Sequence, residues 1–363
     1  MRRLWRRALE AITPYQAGPA LEQLQRELGL PEIVRLSSNE NPIGPSPRVI
    51  EAIRREAPRA HLYPDGGSGA LREAIARWAG APADWLVVGN GGDEIISMIA
   101  RAALDPGDEV VVPKPSFEPY TSEAHLAEAV VVDSPLVDYH QDLDDMLRRV
   151  TPRTKLVFVC TPHNPTGTIV RGGPLKRFLE ALGPDGPLVV LDEAYRDFCD
   201  DPDTPDGVHL VRDHASVVSL RTFSKIAGLA GLRVGFAVAR PEAIDQLNRV
   251  RAPFNVNRIA QVAAVAALED PEHLARTATL VRSERTRVRE ALLARGAAVP
   301  PSQSNFLLVG VGERADALRA ALLKAGILVR DGALVGFPGH LRISEGTPAS
   351  NDRLLAVWDQ TLR

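Results

Sequence analysis

The sequence predicts an α/β protein: a large domain with a mostly parallel sheet flanked by helices, followed by a smaller α+β domain. Three observations predict it. From about residue 69, short runs rich in Val and Leu alternate with segments of helical periodicity. Those runs are apolar throughout rather than at every second position, so protein covers both faces of each strand. Near residue 241 the pattern changes to long helices, broadly 241–295, and a compact strand–helix–strand–helix unit closes the chain. We therefore expect an N-terminal arm over residues 1–44 that packs with the small domain, a large domain over 45–245, and a small C-terminal domain over 246–363.

Taken in order, the start MRRLWRRALEAITPY is basic and amphipathic but lacks the long apolar centre and small-residue cleavage site of a leader. It reads as a surface arm or short helix. The Pro/Gly-rich NPIGPSP joins the arm to the large domain. In GALREAIARWAG, Leu71, Ile75, Trp78 and Ala79 share one helical face. WLVVGN then reads as a strand and DEIISMIARAAL as a helix. Strands follow in DEVVVP, AVVVDSP, TKLVFVCTP, PLVVLDEA, ASVVSLRTFS and LRVGFAVA. In the small unit NFLLVG and HLRISEG read as strands, ADALRAALLKAG as a helix and 351–363 as the last helix.

Composition narrows the function classes. A formal net charge of -3 over 363 residues offers no electrostatic reason for nucleic acid or an anionic membrane as partner. No apolar run approaches the roughly 20 residues needed to span a bilayer. With two cysteines, Cys160 and Cys199, a disulfide framework is implausible and a reducing cytoplasm fits. No histidine stands at a metal-ligand spacing from another ligand residue, which argues against a metal.

Several strand ends finish in polar residues, where open α/β sheets place their ligands. VVGNGGDEI is a strand, a glycine turn and a helix start. Gly89, Gly91 and Gly92 let backbone approach an anion, and Asp93 opens the helix. It lacks the full glycine fingerprint of a nicotinamide site, and a plain strand–helix turn is the alternative. CTPHNPTG offers Asn164 from a turn, where the alternative is an Asn satisfying its own backbone. VVLDEAY buries Asp192 behind five apolar residues, so it needs a cation or strong donors, and a structural ion pair is the alternative. TFSKIAGLAGLRVGF sets Lys225 among small and apolar neighbours, where desolvation favours a neutral amine suited to a Schiff base. A phosphate-type turn, Asn, Asp and Lys at successive strand ends converge on pyridoxal 5′-phosphate.

Nine segments in order carry a resemblance: TPYQAG, LSSNENPIGPSP, YPDGG, GNGGDE, TPHNPTG, LDEAY, RTFSKIAGLAGLRVGF, RAPFNVNRIAQ and LRISEG. Over nearly its whole length the chain resembles the fold-type I pyridoxal-phosphate aminotransferases, most of all the histidinol-phosphate aminotransferases. The resemblance implies a homodimer that exchanges an amino group between an amino donor and a 2-oxo acid. Lys225 would hold the cofactor covalently and Asp192 would pair with its ring nitrogen. Asn164 and Tyr195 would bind its phenolic oxygen. Gly92, Asp93, Ser224 and Arg233 would take its phosphate, with Tyr63 reaching the phosphate of the neighbouring subunit. Phe117 would stack on the ring, where many relatives have Tyr. Arg342 would clamp the substrate carboxylate, with Arg330 and Tyr15 near the side chain or its phosphate. Asn41 and Asn257 would stand in the pocket wall. Phenylalanine-type aminotransferases share nearly all these motifs, and a threonine-phosphate decarboxylase-like lyase and a non-catalytic ligand sensor complete the alternatives.

Overall fold

A computed structural model describes residues 4–14 and 20–361. Eleven strands are present among them: β1 (Val34–Leu36), β2 (Leu86–Gly89), β3 (Glu109–Lys114), β4 (Val130–Pro135), β5 (Thr154–Cys160), β6 (Leu188–Asp192), β7 (Val217–Thr222), β8 (Gly235–Val238), β9 (Phe306–Gly310), β10 (Ile327–Asp331) and β11 (His340–Ser344). The large sheet has the order β2-β8-β7-β6-β5-β3-β4. All of its pairs are parallel except the two made by β8.

Both faces of this sheet are buried except at the edge strand β4, where Val130 is 51% exposed, and the period-2 geometry of a strand sorts the side chains between them. Val111, Val157, Val159, Val189 and Leu191 point to one face, under Val49, Leu71, Ile75 and Phe178. Val110, Val112, Leu156, Phe158 and Val190 point to the other, under Ile95, Ile99, Tyr120 and Leu247. Helices on each side thus explain the uninterrupted apolar runs.

The second sheet has the order β1-β10-β11-β9. Neither β1 nor β10 is evident in the sequence pattern. β1 is three residues long, too short to show a period, and its partners are nearly 300 residues away: Val34 pairs with Ile327 and Leu36 with Val329, in parallel. The arm therefore becomes the edge strand of the small sheet.

One assignment needs correcting. The helix Arg258–Leu268 falls in the segment expected for the small domain, yet it packs on helices Pro47–Glu56 and Gly69–Ala79 of the large one. Its alanines 260, 263, 264 and 267 are buried in the large core, where small side chains admit close helix approach. The following helix, Pro271–Ala294, spans both cores: Ala278 and Val281 face the large one, Val288 and Leu292 the small one.

Just past β11, Glu345 is 2% exposed and its Oε2 has no hydrogen-bond partner. Burial pushes this carboxyl up to about 8, against the opposing field of Arg285. An acid whose pKa rises on folding binds its proton more tightly in the folded state, so stability is lost as pH rises from the unfolded value through the folded one. Between pH 5.5 and 8.5 Glu345 should therefore contribute a fall in the urea midpoint. Glu345→Gln should flatten that dependence, removing a slope that approaches ~1.4 kcal/mol per pH unit. Parallel midpoints for the two proteins across that range would contradict this account.

Candidate active site

Parallel strands β5 and β6 end level, Cys160 pairing with Asp192, and β7 runs two residues further, Asp192 pairing with Leu220. The loops that leave them open onto one edge, around a cavity of about 240 Å³. At one end of it lies an anion cradle. Helix Gly92–Ala103 begins there, and its free N–H groups carry the positive end of the helix dipole. Gly91 precedes it at φ 84°, and a Cβ on Gly91 would lie 2.6 Å from Arg233 Nη2. Arg233 pairs with the exposed carboxylate of Asp93 at 2.9 Å. Thr222 and Ser224, hydrogen-bonded to each other at 2.9 Å, add two hydroxyls to the same wall.

Asp192, also in the cavity wall, is 4% exposed, and no Lys or Arg among the described residues pairs with it. Its carboxylate instead accepts from the Tyr120 hydroxyl at 2.5 Å and the Ala194 N–H at 3.0 Å. Burial pushes it up to about 6, while those two donors hold it down. The structural ion pair considered for Asp192 is therefore replaced by two hydrogen bonds. Tyr120 is wedged by stacking on Phe158, 4.3 Å between centroids, and by the edge of Phe117. Phe117 itself lines the cavity.

Lys225 lines the same cavity. Its Nζ donates to the Ser38 carbonyl at 3.3 Å and lies 5.7 Å from the Tyr195 ring centroid. Enclosure lowers its amine to about 8, helped by the positive charge of Arg342. Buried Arg342 reaches Asn164 Oδ1 at 2.7 Å and the Ser37 carbonyl at 3.0 Å. Tyr195 is buried, which pushes its hydroxyl up to about 12, and it accepts from Asn39 Nδ2 at 3.1 Å. Directly across the antiparallel β10–β11 pair from Arg342 sits Arg330, half-buried and with no ion pair among the described residues. Like charges placed opposite each other destabilise a sheet, which suits a site that receives an anion.

Not every residue singled out in the sequence lies here. Arg342 stands behind the wall, joined to it through Asn164, and neither it nor Arg330 lines the cavity; Tyr63 is 78% exposed, stacked on Phe254 at 4.8 Å, and does not line it either. Asn41 spends its amide on the backbone, donating to Ile226 O at 2.9 Å and accepting from Ile43 N–H. Asn257 caps helix Arg258–Leu268 and donates to Leu232 O. Both therefore hold loops rather than face the cavity. Tyr15 lies outside the described residues. The sequence reading missed Tyr120, Thr222 and Asn39. Tyr120 alone had a usable signal, three residues after Phe117 in KPSFEPY.

The description of the aminotransferase class I and II family matches residues 31–357. The chain is similar to the histidinol-phosphate aminotransferase of Symbiobacterium thermophilum, 44% identical over 357 residues that cover 98% of each chain. It is likewise similar to that of Anaeromyxobacter sp., 44% identical over 354 residues, 97% of each. Among solved structures it superposes on histidinol-phosphate aminotransferase from Sinorhizobium meliloti in complex with pyridoxal-5′-phosphate. That match has a TM-score of 0.88 and 28% identity, covering 100% of this chain and 98% of that one.

The chain has five lysines: Lys114, Lys155, Lys176, Lys225 and Lys324. At pH 7 a lysine with a pKa near 8 is neutral about one time in ten, against under one in a thousand for an ordinary lysine. In the cofactor-free protein, trace acetylation followed by peptide mass spectrometry should label Lys225 ahead of the other four per unit of exposure. Its labelling should also level off at a lower pH than theirs. Equal pH profiles for all five would remove the tuned amine.

Proposed function

The chain belongs to the class I and II aminotransferase family, and from that membership we propose that it moves an amino group between histidinol phosphate and 2-oxoglutarate in histidine biosynthesis. Its cofactor is pyridoxal 5′-phosphate, and the residues present fit it. The Gly92 helix start, Arg233, Ser224 and Thr222 form a cradle for a phosphate. Asp192, a buried carboxylate with no cation beside it, suits a protonated ring nitrogen. When bound, the cofactor supplies a carbonyl carbon that takes up an amine and a protonated ring that withdraws electrons from the adjoining carbon.

The chain's own residues do the rest. Lys225, partly neutral near pH 7, takes the proton from the substrate carbon that bears nitrogen and returns one on the opposite side of the exchange. Asp192 keeps the ring nitrogen protonated, and Tyr120 and Ala194 keep Asp192 ionised. Asn164 gives its Oδ1 to Arg342, which leaves its Nδ2 hydrogens for the cofactor's phenolic oxygen beside Tyr195. Phe117 covers one ring face.

The observation that carries the substrate assignment is the facing pair Arg330 and Arg342 on β10 and β11. Two guanidinium forks on one face bind the two carboxylates of glutamate or 2-oxoglutarate in one half-reaction, and the phosphate of histidinol phosphate in the other. By its TPYQAG motif alone, Tyr15 is proposed as a further substrate contact. The exposed Tyr63 is read as reaching the phosphate site of a second subunit, so the working form is a homodimer. No described helix is long and apolar enough to cross a membrane, and we place the enzyme in the cytoplasm.

Three results test this reading. Borohydride reduction of the loaded enzyme should add the reduced cofactor's mass to the Lys225 peptide; an unmodified Lys225 peptide would sink the assignment. Arg330→Ala should lower kcat/KM for histidinol phosphate and 2-oxoglutarate by about 30- to 100-fold, the loss of one charge-assisted contact. If phenylalanine and phenylpyruvate are instead the best pair, or carbon dioxide is released, the substrate assignment falls while the cofactor chemistry stands. Tyr120→Phe should raise the pKa of Asp192 by removing a donor to its ionised form, and so move the acid limb of the kcat/KM profile to higher pH. An unmoved acid limb would separate Tyr120 from the chemistry.

A further inference from the structure

Three consecutive residues of the arm touch the site. The Ser37 carbonyl accepts from Arg342, the Ser38 carbonyl from Lys225, and Asn39 Nδ2 donates to the Tyr195 hydroxyl oxygen. Asn39 is the unusual one. It is 2% exposed and left-handed, at φ 56°, a conformation that Asn tolerates better than most residues. Its N–H donates to Ser344 Oγ at 2.8 Å, and its Oδ1 accepts from that hydroxyl at 3.1 Å. Its carbonyl accepts from Asn305 Nδ2 at 3.0 Å. The double contact with Ser344 commits Oδ1 as an acceptor and so turns the NH2 end toward Tyr195. The Tyr195 oxygen is then an acceptor from Asn39, and its own proton is not consumed there.

We propose that Asn39 is a positioning residue for Tyr195: its amide holds the hydroxyl so that the tyrosine proton turns into the cavity, as the donor to the cofactor's phenolic oxygen. The inference rests on the reading of the cavity as a pyridoxal-phosphate site. A hydroxyl that accepts one hydrogen bond is polarised and donates a stronger one. Asn39 does not line the cavity and acts only through Tyr195. Ser344, which orients Asn39, lies two residues beyond Arg342 on β11 and hence on the same face of that strand. The strand that clamps the substrate and the tyrosine that binds the cofactor thus meet at one arm residue.

Asn39→Gly deletes the amide and keeps a left-handed backbone without strain. Loss of a donor to the phenolic oxygen makes the bound chromophore hold its proton more tightly. In the loaded enzyme the pH midpoint of the visible absorbance change should therefore move up, by about half a pH unit. Tyr195→Phe should move it further in the same direction. Adding Asn39→Gly to Tyr195→Phe should move it no further, and cofactor dissociation constants from titration of the cofactor-free proteins should follow the same non-additive pattern. Ser344→Ala releases the amide while leaving Asn39 in place. It should give a smaller upward shift, and it carries the test if Asn39→Gly does not fold. An unmoved midpoint in a folded Asn39→Gly or Ser344→Ala protein, beside a shifted Tyr195→Phe, overturns the inference. So does additivity in the double variant, because an amide that only supports the fold acts independently of the hydroxyl. If the wild type binds pyridoxal phosphate with no visible chromophore, the cofactor reading fails and takes this inference with it.

Discussion

The parallel register of β5, β6 and β7 is the constraint on which the site depends. Side chains alternate across a strand, so a slip of one residue in β6 would turn Asp192 to the opposite face. That face is already taken. Glu193 points into it, buried, accepting from Ser219 Oγ at 2.6 Å and from Arg221 Nε at 3.1 Å. Arg196 Nε also stands 3.2 Å from it, and a carboxylate left there without these two arginines would be an uncompensated buried charge, costing roughly 3–5 kcal/mol. Two adjacent acids with opposite needs therefore lock the strand. Glu193 requires its two arginines, and that requirement aims Asp192 into the cavity, where no described cation pairs with it.

The electrostatics of the cavity follow from this division. Around one enclosed space the fold sets a helix start with an arginine, a carboxylate that lacks a positive partner, and an amine whose charge is discouraged by burial. Each is costly in isolation and each is relieved by one part of the same ligand: a phosphate, a protonated ring nitrogen and a carbonyl carbon. The donors around Asp192 matter because burial alone would favour its neutral form. A neutral acid there could not hold a cationic ring.

The arm and the small sheet bring the substrate end to this centre. Because β1 pairs with β10, and β10 places Arg330 opposite Arg342, three adjacent strands of the small sheet bring both arginines and the Ser37–Asn39 segment together. Helix Pro271–Ala294 buries side chains in both cores, so the small sheet is held at a set distance from the large one. Substrate clamp, lysine and tyrosine are consequently tied to one short piece of backbone.

Residues with a local signature were legible in the sequence. Every strand of the large sheet shows as an apolar run. Asp192, Asn164, Lys225 and the glycine turn stand at the ends of such runs, where chain direction alone predicts a ligand edge. What was illegible depended on partners distant in sequence. β1 has three residues and no period of its own; its partners begin at Ile327. The alanines of Arg258–Leu268 suit either core, and only packing assigned them to the large one. Asn41 and Asn39 sit two apart in one motif, yet backbone hydrogen bonds claim Asn41 while Asn39 turns to Tyr195. By itself the sequence determined the fold class, the cofactor and the ends of the strands that hold it, since these rest on hydrophobic period and local chemistry. The tertiary structure alone decided that Tyr120 rather than a cation steadies Asp192, and that Asn39 steadies Tyr195. Hydrogen bonds between residues 72 and 156 positions apart form only once the chain has folded.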